Sequence, residues 1–99
     1  MILLAMVVLL PLSALAQEHA IYKSVDGGLT WVKAGVDLPG NPRINAFGAI
    51  GDRILAGTDA GIYRSNDEGE TWQKTTATAR TVSFAMSGNT VYAGTHSAG

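Results

Sequence analysis

One eight-residue pattern occurs twice in this chain and limits what it can fold into. Ser24-Val25-Asp26-Gly27-Gly28-Leu29-Thr30-Trp31 returns 41 residues on as Ser65-Asn66-Asp67-Glu68-Gly69-Glu70-Thr71-Trp72, and both copies read Ser-x-Asp-x-Gly-x-Thr-Trp. A unit recurring at such a spacing belongs to architectures in which similar supersecondary pieces stack on one another. Within the octet, Ser and Asp side chains can accept hydrogen bonds from backbone N–H groups a few residues on, which pins a tight loop. Gly28 and Gly69 provide a position where φ turns positive without steric cost. Thr-Trp then suits a resumed strand, because β-branched and aromatic side chains favour a pleated, half-buried surface. Strand-like Ala20-Ile21-Tyr22-Lys23 and Gly61-Ile62-Tyr63-Arg64 precede the two octets. Each unit therefore reads as strand, pinned turn, strand.

The remaining sequence repeats as well. Thr81 to Met86 aligns with Ile44 to Ala49, and Thr90 to Thr95 with Arg53 to Thr58, at an offset of 37. The offset shrinks because the loop around Pro39 to Arg43 is four residues longer than its counterpart near Ala77 to Arg80. Gly51-Asp52 and Gly88-Asn89 sit where two-residue hairpin turns are needed. Ile54-Leu55-Ala56 and Ile62-Tyr63 put apolar side chains on both faces, which suits a sheet covered on both sides rather than one with a wet face.

The octet resembles the Asp-box, also called the BNR repeat, with all five signature positions matched in both copies. In that family the box forms the turn between the third and fourth strands of a β-propeller blade. The resemblance implies an all-β chain, a partial β-propeller of antiparallel four-stranded blades with about two blades' worth of strands. Residues 20–34 would be the outer half of one blade, 44–75 a complete blade, and 81–95 the inner half of the next. The repeat breaks off just short of a third octet. The expected protein is therefore longer, or several copies close a ring head to tail as a homo-oligomer. The resemblance leaves activity open, since the box occurs in sialidases, xyloglucan-cleaving hydrolases, sortilin-type receptors and non-enzymatic photosystem assembly factors.

Composition narrows the setting. A net charge near −1 gives no electrostatic reason to expect nucleic acid, and the absence of Cys removes disulfides and thiolate metal sites. Met1 to Ala16 carries no charge, contains the apolar run Ile2 to Leu10 and ends on Ala14-Leu15-Ala16. This reads as a signal peptide over residues 1–16, cleaved near Ala16 to leave a secreted or periplasmic chain from Gln17 to Gly99, with a retained anchor and a buried core strand or helix as the alternatives. No Lys or Arg follows Met1, which departs from the usual signal. The apolar run is too short for a stable membrane span.

Ser24, Asp26, Gly28, Thr30, Trp31, Ser65, Asp67, Gly69, Thr71 and Trp72 are expected to be structural, with both tryptophans filling core. Asp67-Glu68-Gly69-Glu70 lacks the alternating ligand spacing of an EF-hand, so no metal is expected there. Residues recurring in each repeat are poor markers of a single site, so those that break the repeat are more informative. Asp59 aligns with His96, and Arg43 and Arg80 sit just before the first strand of their repeats; these four are the candidate ligand-facing residues. A sialidase-like site would need an arginine trio, a Tyr–Glu pair and an acid Asp, and the Glu residues here (Glu18, Glu68, Glu70) are not placed for it. A xyloglucanase-like site would need two facing carboxylates, and Asp37 with Asp59 is the pair that could be offered. No catalytic residue, cofactor or metal is assigned. The expected function is a non-enzymatic scaffold or binding module for a glycan or protein ligand. The alternative is a fragment of a sialidase- or xyloglucanase-like glycoside hydrolase whose catalytic residues lie outside this chain.

Overall fold

The computed structural model describes residues 19–35 and 38–96. The segment read as a signal peptide, its cleavage point and Asp37 lie outside the described residues. The described chain is all-β, with eight strands: β1 (Tyr22–Lys23), β2 (Val32–Lys33), β3 (Ile44–Ile50), β4 (Arg53–Thr58), β5 (Gly61–Ser65), β6 (Gln73–Lys74), β7 (Thr81–Ser87) and β8 (Thr90–Thr95). They form three antiparallel sheets: a pair β1-β2, a four-stranded sheet β3-β4-β5-β6 and a pair β7-β8. β1, β2 and β6, which flank the octets, span two residues each, whereas β5 runs the five residues Gly61–Ser65 into the second octet.

Repeat equivalence extends to register. Ile50 pairs with Arg53 and Ser87 with Thr90, so each hairpin closes through two residues. Gly51 and Gly88 both have φ of 59°, a positive value at the first central residue alone, as a type II′ turn requires. A register shift falls between Ile44 and Ala46 in β3, and between Thr81 and Ser83 in β7. Asn45 and Val82 are thus the extra residues of two equivalent β-bulges.

The four-stranded sheet is covered on one face and, over β3 and β4, on the other. On one face lies the β1-β2 pair, and Ile21, Ala34, Leu38, Ala56, Tyr63 and Trp72 form the buried core there, with Ile44 and Ile54 packed against it. The Trp72 ring also meets Phe47, with centroids 6.5 Å apart and planes tilted by 43°. On the other face β7 packs across β3 and β4. Gly48 and Gly57 permit this approach: a Cβ on Gly48 would run into Met86 and Phe84, and one on Gly57 into Thr81 and Phe84. The sheets are therefore held face to face by small residues under large ones.

The two tryptophans part company. Trp72 is 8% exposed, but Trp31 is 59% exposed. The expectation that both fill core is corrected for Trp31. The octet sets the ring's position relative to its own turn, but burial needs a neighbouring sheet, and among the described residues nothing covers the β1-β2 pair as that pair covers Trp72. Replacing Trp72 with Ala is expected to cost about 3–5 kcal/mol, the range for a buried aromatic. The same change at Trp31 should cost under about 1 kcal/mol in a dilute sample, as for other exposed positions. Thermal or denaturant unfolding of the two variants checks the contrast; equal losses would overturn it.

Candidate functional site

Two places carry chemistry: the octet turns and the end of the sheets where the repeat-breaking residues meet. The octets come first because they position the strands. In the second copy, Ser65 Oγ accepts from Gly69 N–H at 2.8 Å and donates to Asp67 Oδ1 at 2.8 Å. Asp67 Oδ1 accepts from Thr71 N–H at 2.9 Å, and Asp67 Oδ2 accepts from the Thr71 hydroxyl. Trp72 Nε1 donates to Gly69 O at 3.1 Å. The first copy repeats each of these bonds between Ser24, Asp26, Gly28, Thr30 and Trp31, and Asp26 Oδ1 also accepts from Leu29 N–H at 3.2 Å. All five signature side chains or backbone groups are thus bonded to one another within the turn. Thr is more than a β-former here, since its hydroxyl saturates the second carboxylate oxygen. Its constant four-residue distance from Asp is the sequence signal for that bond.

These bonds hold the carboxylates ionised. Asp67 is lowered from 3.8 to about 2, chiefly by the Thr71 hydroxyl, then by Thr71 N–H and Ser65. Asp26 is lowered to about 2 by the matching Thr30 and Ser24 bonds. A carboxylate so occupied is a poor proton donor and a poor metal ligand. Among the described residues no group of three or more His, Asp or Glu is placed to hold a metal ion.

One octet position departs from its twin in a way that matters locally. Gly27 and Gly28 have φ of 75° and 94°, while Glu68 and Gly69 have 62° and 91°. Glu68 thus occupies the left-handed region that Gly27 occupies freely, and a Cβ at Gly27 would meet nothing within 4 Å. The cost at Glu68 is conformational rather than a clash.

The repeat-breaking residues do come together. Arg43 O accepts from Asp59 N–H at 3.0 Å, and Arg80 O accepts from His96 N–H at 2.9 Å. Arg80 Nε pairs with Asp59 Oδ1 at 3.1 Å, both side chains about two-fifths exposed. The sequence reading missed the residue that joins them: Asn45 Nδ2 donates to Asp59 Oδ1 at 2.9 Å and to Thr81 O at 3.1 Å, tying the four-stranded sheet to β7. An Asn inside a strand, at a position where the repeat has Val82, was the available signal. The turn beneath is pinned by buried Thr58, whose hydroxyl donates to Gly61 O at 2.8 Å and accepts from Ala60 N–H at 3.0 Å. The Asp59 carboxyl is held below its ordinary value, first by Asn45 and further by the Arg80 and Arg43 charges. Asn45, Asp59 and Arg80 therefore form a largely exposed polar cluster at one end of β3, β4 and β7, with Arg43 near enough for its charge to act on Asp59 and His96 tied to Arg80 through its backbone N–H. Within it Asp59 is an ionised, paired group, which suits recognition of a polar ligand rather than proton transfer.

Comparison with known proteins adds nothing to this geometry: no protein-family model, no curated protein and no solved structure matches the chain. Among the described residues no helix is long and apolar enough to cross a membrane.

The octet analysis leads to two expected outcomes. Asp26 and Asp67 have folded values near 2 against an ordinary 3.8, so their stabilising contribution is complete above the ordinary value and lost as pH falls through the folded one. Thermal stability should therefore drop between about pH 4 and pH 2, and the drop should be shallower in Asp67→Asn. Parallel unfolding curves for the two proteins across that window would refute the assignment. Replacing Glu68 with Gly should raise stability by about 0.5–1 kcal/mol, since removal of a left-handed non-glycine residue outweighs the added chain entropy. A loss of stability in Glu68→Gly would show that the side chain contributes more than its backbone strain costs.

Proposed function

We propose that this chain is a segment of an Asp-box β-propeller, secreted or periplasmic, that acts as a non-enzymatic scaffold and binding module. The observation that carries the reading is the duplicated octet network, whose Ser, Asp, Gly and Thr bonds recur in two turns 41 residues apart. Stacked antiparallel sheets in which each unit covers the next are what a radial arrangement of four-stranded blades needs. In this reading β3 and β7 are inner strands, and the Arg43–Asn45–Asp59–Arg80–His96 cluster lies at the mouth they share. Its guanidinium and imidazole groups offer donors to the hydroxyl or carboxylate groups of a glycan or a protein side chain.

A non-enzymatic role is supported by the cluster's chemistry. Glycoside hydrolysis asks for one carboxyl that stays protonated and a second across the scissile bond. Asp59 is held ionised by Asn45 and Arg80, and it is the one carboxylate among the five residues. The chain is expected to turn over neither fluorogenic sialosides nor xyloglucan. Affinity electrophoresis against a polysaccharide panel is expected to show retardation that weakens in Arg80→Ala. Turnover abolished by Asp59→Asn would replace this reading with the hydrolase alternative.

A further inference from the structure

Tyr63 and Trp72 are 3% and 8% exposed, whereas Tyr22 and Trp31, at the same positions of the first repeat, are 58% and 59% exposed. The difference lies in what covers them. Trp72 shares a small hollow with Ile21, Lys23, Ala34 and Ile54. Moved along the sequence by the repeat, those four positions become Ile62, Arg64, Thr75 and Val91. These four residues line an open groove of about 550 Å³ between the four-stranded sheet and β8, together with Leu55 and Ala93. The groove is built from the same positions as the seat of Trp72, and the Tyr–Trp pair that would match it stands exposed on the β1-β2 unit. Arg64, on the wall of this groove, keeps a buried Nε with no hydrogen-bond partner.

The strand edges match as well. β4 is bonded to β5 in the four-stranded sheet, but among the described residues β8 is bonded only to β7, and β1 only to β2. One half-sheet presents the inner edge and the other the outer pair that the complete sheet joins.

We propose that copies of this chain associate head to tail, with the β1-β2 pair of one copy adding to the free edge of β8 in the next. The addition completes an antiparallel sheet of order β7-β8-β1-β2 and rests on reading the chain as repeated four-stranded units. The β4-β5 register sets the contact: Leu55 opposite Arg64 becomes Tyr92 opposite Lys23 of the second copy, and Ala56 opposite Tyr63 becomes Ala93 opposite its Tyr22. Main-chain bonds along the edge supply affinity, and the second copy's Tyr22 and Trp31 fill the groove against Ile62, Arg64, Thr75 and Val91. One position departs from the internal template. Glu70, which pairs with Lys23 at 3.4 Å, is matched by Leu29, so the Arg64 stem receives an apolar neighbour rather than a carboxylate.

The chain has no cysteine, so two single variants make a clean test. Lys23→Cys and Tyr92→Cys, mixed under mild oxidation, are expected to form a disulfide between chains, because directly opposed strand residues lie within disulfide reach. A mixture of Lys23→Cys with Ser83→Cys, on β7, should not. Size exclusion with light scattering should show a species larger than the monomer whose share grows with concentration. Trp31→Ala should weaken that association at least tenfold while leaving unfolding of the dilute chain unchanged, which separates loss of contact from loss of fold. A monomer persisting at about 100 μM, far above the range of a specific interface, would overturn the proposal. So would cross-linking to Ser83→Cys as readily as to Tyr92→Cys, or association indifferent to Trp31→Ala. Failure on these counts leaves the turnover and polysaccharide measurements, and the binding reading they test, untouched.

Discussion

The carboxylate of Asp67, and its twin Asp26, hold the turns on which the rest of the structure depends. Each sits inside its own loop and takes hydrogen bonds from Thr and Ser side chains and from backbone N–H groups. A loop closed this way needs no sheet to define its shape, because its donors and acceptors are satisfied locally. That local closure fixes where β5 ends and β6 begins, and it places the indole N–H of Trp72 over Gly69 O. The ring is then aimed by the turn rather than by the core it enters. The same is true of Trp31, whose bond to Gly28 O has the same length of 3.1 Å although its ring stands in solvent.

Packing works at a different level. A short antiparallel unit cannot bury its own faces, so each sheet relies on the next for cover. Tyr63 and Trp72 are buried because Ile21 and Ala34 lie across them, and Gly48 and Gly57 are glycines because Phe84, Met86 and Thr81 press on them from the other side. The contacts on the two faces are unlike in character. One is a cluster of aromatic and aliphatic side chains; the other is a close approach of strands that leaves no room for a Cβ. Substitutions will be felt accordingly, as a cavity on the first face and as a collision on the second.

Between the sheets, polar chemistry is concentrated where the repeat is broken. Asn45 bridges Asp59 to the backbone of Thr81, and Arg80 reaches back from the following repeat to the same carboxylate. Val82 stands where the first strand pair has Asn45, so the two strand pairs differ in their polar bonds at this end. An exposed pair of this kind contributes little to stability. Its value is in fixing the direction of the side chains around it.

How much of this was legible in the chain depends on the range of the interactions involved. The octets, the eight strand positions, the hairpin turns at Gly51 and Gly88 and the all-β class follow from residues within a few positions of one another, so pattern and turn chemistry alone determine them. The grouping of Arg43, Asp59, Arg80 and His96 was legible only as an alignment of repeat-breaking positions; that they share one cluster, and that Asn45 is its bridge, required a bulge in β3 and the seating of β7 beside it. The burial of Trp72 and the exposure of Trp31 could not be told apart in sequence, because both tryptophans close octets with the same five signature residues and the same bond from the indole N–H to the turn glycine. Only the tertiary structure decides between them, since burial is a property of the neighbouring sheet and not of the residue that is covered.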